Sequence, residues 1–222
     1  MAALGAACNV GAQDCSAWGK TGKLLYSDNF DATLSQWQPE IEAKGISTVA
    51  ASKEKLVIDV AGGATVWFQK KLEGDLLITF KRKVLVDGGR NDRLSDLNMF
   101  WMASDPASSS LFTRKGEFSE YDGLQLYYAG IGGNTNTTSR FRRYSNGERV
   151  LHADIADKAS LLKPNKDYAV QIAVYRGCTR VLMDGREYFQ FRDPAPLREG
   201  YFGFRTTWSR QEIDDFRVYR LD

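Results

Sequence analysis

Three short alternating segments hold most of the residues in this chain that could do chemistry: Ser95–Met102, Gly123–Ala129 and Ser139–Tyr144. A period-2 reading sets Asp96, Asn98 and Phe100 opposite Leu97, Met99 and Trp101 in the first. It separates Gln125 and Tyr127 from Leu124, Leu126 and Tyr128 in the second, and Arg140, Arg142 and Tyr144 from Phe141 and Arg143 in the third. If the polar sets share a side, one sheet face gathers a carboxylate, two amides, phenols and guanidinium groups. That is the composition of a carbohydrate groove.

Such residues suit β-elimination on a uronic acid polymer. The reaction needs a donor that neutralises the substrate carboxylate, a base for the C5 proton and an acid for the leaving oxygen. Tyrosine can serve as both acid and base when a neighbouring guanidinium favours its phenolate. Tyr127 and Tyr144 are therefore the proton-transfer candidates, with Arg142 as their catalytic partner and a carboxylate binder. Arg93, Asp96, Asn98, Gln125 and Arg140 are the substrate-binding candidates. The lone histidine, His152, falls outside the expected strands and would reach the groove only from a loop. Ordinary glycoside hydrolysis needs two carboxylates across the scissile bond. Here Asp96 stands alone on its strand, with Glu120 and Asp122 at the edge of the next. A non-catalytic carbohydrate-binding module would use the same amides, guanidinium groups and aromatic rings. Trp101 is expected in the core from its phase, whereas Trp67 and Trp208 could stack on a pyranose ring.

The elements that must position these groups are almost all strands. Strand-like runs recur from Lys23 to Arg220, and helical periodicity is nearly absent. Asp184-Gly185 predicts a tight hairpin, Gly62-Gly63 a link between two further strands, and Ser104–Tyr121 an irregular surface excursion that could be a mobile loop or a lid. At 222 residues and 43% hydrophobic, the chain can bury one sizeable core, so residues 23–222 are read as one domain behind an N-terminal extension, 1–22. A net charge of +2 supplies no basic field for nucleic acid, and no apolar run is long enough to span a bilayer. A monomer is expected. The small, apolar start up to Cys8 reads as a trimmed export signal or lipoprotein cleavage region, which places the chain in the periplasm or outside the cell. Cys8 and Cys15 could close a local disulfide, leaving Cys178 over; three free thiols are the alternative. No Cys/His spacing suggests zinc, and no cofactor is expected.

Towards the C-terminus Asn165–Val174, Arg180–Tyr188, Gly200–Arg205 and Ile213–Tyr219 follow one another as a strand, a "D-G" hairpin, a "G-x-x-G-F" strand and a "D-D-F-x-V" strand. With Tyr26–Asp31 and Trp37 at the start, this run resembles the concanavalin A-like lectin/glucanase superfamily. The resemblance implies an all-β, antiparallel β-jelly-roll sandwich. Phe68–Gly74, Asn91–Met102 and Tyr127–Tyr144 are similar to a secreted bacterial family catalogued as a domain of unknown function and associated with glycan-degrading gene sets. That implies an oligo- or polysaccharide partner. The superfamily often clamps its first and last strands with a structural calcium, for which Asp28, Asp31, Asp214 and Asp215 could be the oxygen ligands; the alternative is that Asp28 and Asp31 only cap the opening turn while Asp214 and Asp215 solubilise a strand end. Another of its branches cleaves 3-keto-glycosides, where Asp96 would be a base and Arg142 an enolate stabiliser.

Overall fold

The computed structural model describes residues 15–31 and 33–222, and nearly all of its regular structure is antiparallel β. The strands are β1 (Thr21–Asp28), β2 (Trp37–Ile41), β3 (Thr48–Ala51), β4 (Leu56–Phe68), β5 (Leu72–Glu73), β6 (Leu76–Leu85) and β7 (Leu97–Ser104). They continue as β8 (Gln125–Gly132), β9 (Thr138–Ser145), β10 (Glu148–Ile155), β11 (Asp167–Tyr175), β12 (Cys178–Met183), β13 (Arg186–Arg192) and β14 (Glu199–Leu221). The expected jelly-roll sandwich is the fold observed.

Two long strands tie its layers together. The first half of β14 lies between β4 and β7, and the front layer continues outward through β8, β9 and β10. The second half pairs with β6 and β1, and the back layer continues through β11, β12 and β13. Gly62-Gly63 therefore does not separate two strands as expected. β4 runs through both glycines and pairs with β14 on either side of a register shift at Thr207–Ser209. The Asp184-Gly185 hairpin forms as read, with φ of 52° and 75°, the left-handed pair that a primed two-residue turn requires.

Between the layers, Val66, Met99, Trp101, Phe141 and Phe204 from the front pack against Ile78, Phe80, Ile172, Phe189 and Phe216 from the back. Trp101 is fully buried, as its phase predicts, and its indole N–H donates to Thr179 Oγ1 across the core at 3.0 Å. Arg82 is also enclosed. It donates to Gln211 Oε1 (2.6 Å) and to the carbonyls of Asn98 (2.6 Å) and Arg205 (3.0 Å), so a back-layer guanidinium satisfies backbone acceptors where β7 meets β14.

The cysteines pair differently from expectation. Cys15 bonds Cys178 at the head of β12, and Cys8 lies outside the described residues. The bridge joins positions 163 residues apart, a proximity that only the folded back layer creates. It holds the segment before β1 against that layer, where Trp18 packs near Leu77, Ala173 and Leu221 and receives the Arg180 guanidinium 4.8 Å from its ring. β1 itself starts at Thr21, ahead of the expected domain start.

Candidate functional site

Cross-strand register decides which polar residues meet on the outer face of the front layer. Phe100 sits beside Tyr128 and Tyr128 beside Arg142; Asn98 sits beside Gly130 and Gly130 beside Arg140. The first and third segments thus keep their expected phase, and Asp96, Arg140 and Arg142 share this face. The middle segment is inverted. Trp101 is the neighbour of Tyr127, so Tyr127 points into the core and Tyr128 takes its place outside.

Tyr127 is 2% exposed, donates to Asp193 Oδ2 at 2.7 Å and accepts from the Leu197 N–H at 3.0 Å. Arg143 joins the same carboxylate at 2.6 Å. Burial first, and then the bond to Asp193, push its phenol well above the usual range, so Tyr127 ties β8 to the segment after β13 and does not face the groove. Gln125, one alternation away, shares its side of the sheet and is separated from Asn98. Tyr144 is on the outer face but enclosed, and burial pushes its phenol up to about 12. His152 belongs to β10 rather than a loop, with its ring 4.0 Å from that of Phe191 and near Phe141, the neighbours of Tyr127. It is remote from the groove side.

Segment 105–124 is a packed cover. Leu111, Tyr121 and Leu124 lie over Trp67, Phe100, Leu126 and Tyr144 as a second apolar cluster on the outer face. Arg114 holds the segment together, donating to Asp105 Oδ2 (2.7 Å), Leu111 O (3.0 Å) and Glu120 O (2.7 Å). The buried Glu40 carboxylate fastens it to the sheet, accepting from the Arg114 N–H, the Tyr121 hydroxyl and the Trp67 indole, each at 2.8 Å. Arg205 lies beneath, donating to Gly116 O at 2.6 Å with Phe118 and Tyr121 both 5.2 Å away.

What remains open is a polar cavity of about 150 Å³ lined by Asp96, Phe118, Tyr128, Asn134, Arg140 and Arg142. The Arg142 guanidinium lies 5.6 Å over the Tyr128 ring and makes no hydrogen bond or ion pair among the described residues. The Tyr128 hydroxyl likewise finds no hydrogen-bond partner among them. Gly130 makes room for that hydroxyl, since a Cβ there would sit 2.2 Å from it. Beside the cavity, Asn98 is 4% exposed; its Nδ2 donates to Asp96 Oδ1 at 3.4 Å, while its Oδ1 is buried without a partner. Among the described residues the Tyr144 hydroxyl is the other buried side-chain atom left so. Arg140 pairs with Asp154 at 2.9 Å. Asp96 is bonded to Arg93 and to Ser95 Oγ (2.9 Å), and Arg93 is further committed to two carbonyls, so it positions the wall rather than facing the cavity.

The sequence reading missed Tyr128, Phe118 and Asn134. The adjacent Tyr127-Tyr128 pair was a signal that one phenol faces each side, but its sense depends on register.

Of the four expected calcium ligands, Asp28, Asp214 and Asp215 have partners within the protein, while Asp31 lines an open polar cavity with Asp214 and Asp215. Asp28 accepts from Phe30 N (2.7 Å), Trp37 Nε1 (2.9 Å) and Gln36 Nε2 (3.1 Å). Asp215 pairs with Lys81 (3.3 Å) and Arg217 (2.9 Å), and Asp214 accepts the Asp215 N–H at 2.6 Å. Among the described residues no three potential ligands come together as a metal site, and no helix is long and apolar enough to cross a membrane.

A family profile described as "Domain of unknown function (DUF6250)" matches residues 58–216. No curated protein matches the chain. Among solved structures, a Bacillus subtilis protein of unknown function with a galectin-like fold superposes with a TM-score of 0.74 at 17% identity, covering 91% of this chain and 98% of its own. The carbohydrate-binding module CBM66 from Bacillus subtilis gives 0.58 at 14% identity over 83% and 95%. A β-1,3-1,4-glucanase from a mouse hindgut metagenome gives 0.56 at 12% over 89% and 99%. These likenesses establish a shared fold.

Proposed function

Since the chain belongs to the DUF6250 family, whose description assigns no chemistry, we infer its function from the cavity: it binds a glycan bearing an acidic group on the outer face of its front layer. The observation that carries this reading is the unpaired Arg142 guanidinium in a cavity whose wall residue Asp96 is bonded to Asn98, the residue with the orphaned Oδ1. A partly buried cation without a carboxylate and a buried acceptor without a donor are both costly alone. A sugar carboxylate on Arg142 and a sugar hydroxyl on Asn98 would satisfy both, with the Tyr128 hydroxyl as a further donor or acceptor. The fold neighbours named as a carbohydrate-binding module and a glucanase support the class of ligand.

Binding without turnover fits the cavity better than lyase chemistry does. Elimination needs a group that takes up a proton near neutral pH. Burial drives the Tyr128 phenol upward, Tyr127 is in the core and Asp96 is engaged by Arg93. A hydrolase would need a second carboxylate in the cavity, and among the described residues Asp96 is the one lining it. Export also belongs to this proposal, because the Cys15–Cys178 bridge suits an oxidising compartment.

Calorimetric titration with polygalacturonate, alginate and neutral laminarin tests the reading. The acidic polymers should bind, laminarin should not, and recovered ligand should be intact. Growth of unsaturated-uronide absorbance would instead establish a lyase, and equal binding of laminarin would remove the role given to Arg142.

A further inference from the structure

Trp208 is 51% exposed, in contrast to the buried Trp37, Trp67 and Trp101. It stands where β14 passes from the front layer to the back: Thr207 is paired with Gly63, Ser209 with Val60, and the ladder slips between them. Its φ is 42°, a left-handed conformation that a bulky aromatic residue keeps only where its surroundings enforce it. Arg93 does the enforcing. Its Nε donates to Trp208 O at 2.8 Å and its Nη2 to Thr207 O at 2.5 Å, while its own carbonyl accepts from Ser209 Oγ at 3.3 Å. The guanidinium lies 5.2 Å from the indole ring, and the same Nη2 pairs with Asp96 on the cavity wall. One side chain thus couples the exposed indole to the polar cavity.

The indole belongs to none of the apolar clusters, and glycine would adopt this φ without strain. A strained, exposed aromatic ring linked through Arg93 to the wall of a polar cavity is suited to lie flat on the apolar face of a sugar. We propose that Trp208 forms a second sugar subsite, stacking on a pyranose ring of the same chain whose acidic group meets Arg142. The protein then recognises an oligosaccharide rather than a single sugar. This subsite rests on the acidic-glycan reading above.

The test titrates galacturonate, glucuronate and guluronate, as free sugars and as tetramers, into the wild type, Trp208→Gly, Trp208→Phe and Arg142→Ala, and records the melting temperature of each protein. Trp208→Gly should melt at or above the wild type, because it relieves the left-handed strain. It should weaken the best tetramer about tenfold, the scale of one aromatic contact, and leave the free sugar unaffected. Trp208→Phe should keep most of the affinity, and Arg142→Ala should lose tetramer and free sugar together. If Trp208→Gly binds the tetramer as the wild type does while Arg142→Ala does not, the subsite alone is overturned. A lower melting temperature for Trp208→Gly with equal losses for both ligand lengths would make the indole a structural prop and also overturn it. If no acidic sugar binds the wild type, the subsite falls together with the acidic-glycan reading.

Discussion

Arg142 and Tyr127 occupy neighbouring strands but opposite faces, and their substitutions should separate binding from stability. Arg142→Ala removes a guanidinium that bonds nothing among the described residues, so melting should be unchanged. Binding of an acidic polymer should weaken by about 2 kcal/mol, the scale of one charge-assisted hydrogen bond. Tyr127→Phe leaves Asp193 and the Leu197 N–H without the phenol and should cost about 1–3 kcal/mol of stability while affinity stays as in the wild type. Trp101→Ala should cost about 3–5 kcal/mol, as expected for a large aromatic side chain removed from a packed core. Thermal melting and calorimetry on the three variants check all of this together. An affinity loss in Tyr127→Phe with unchanged melting would return that phenol to the site. The amide, phenol and guanidinium residue types of the outer face were legible in the sequence, and so was the phase of Asp96 and Arg142. The choice of Tyr128 over Tyr127 was not, because Leu124 and Leu126 read as core residues. They are buried, but in the outer-face cluster, Leu126 beneath segment 105–124 and Leu124 within it.

At the scale of elements, that segment governs how much of the outer face is open. Asp105 is its electrostatic latch. Burial raises its carboxyl pKa, but the Arg114 hydrogen bond and charge with the Ala107 N–H outweigh this, so the folded value lies below the ordinary one. The sign follows directly. Asp105 contributes its full stabilisation above the unfolded pKa of about 4, and the contribution is lost as pH falls through the lower folded value. Glu40 works in the opposite sense, since burial holds its carboxyl above the usual range and favours the neutral form as pH drops. Hydrogen exchange in residues 105–124 should therefore accelerate below about pH 4 in the wild type, whereas Asp105→Asn should exchange faster already at neutral pH and lose most of that dependence. An identical profile in the variant would show that the apolar contacts of Leu111 and Tyr121 hold the cover unaided.

For the whole molecule, the Cys15–Cys178 bridge fixes the segment just before β1 to the back layer, on the other side of the fold from the cavity. Reduction should lower stability by about 2–4 kcal/mol, chiefly by freeing the unfolded chain, and should leave glycan affinity unchanged. Melting and titration with and without dithiothreitol measure both, and unchanged melting would show that the bridge adds no constraint. The sequence by itself determined the layered β architecture, the burial of Trp101, the Asp184-Gly185 turn and a supply of amides and guanidinium groups, because each is written in neighbouring residues through alternation, turn chemistry and composition. Only the tertiary structure decided which cysteines pair, which of two adjacent tyrosines reaches the cavity and that 105–124 is a cover. Each depends on contacts between distant segments. A strand's period of two fixes its two faces, but only pairing with its neighbours decides which of them turns outward.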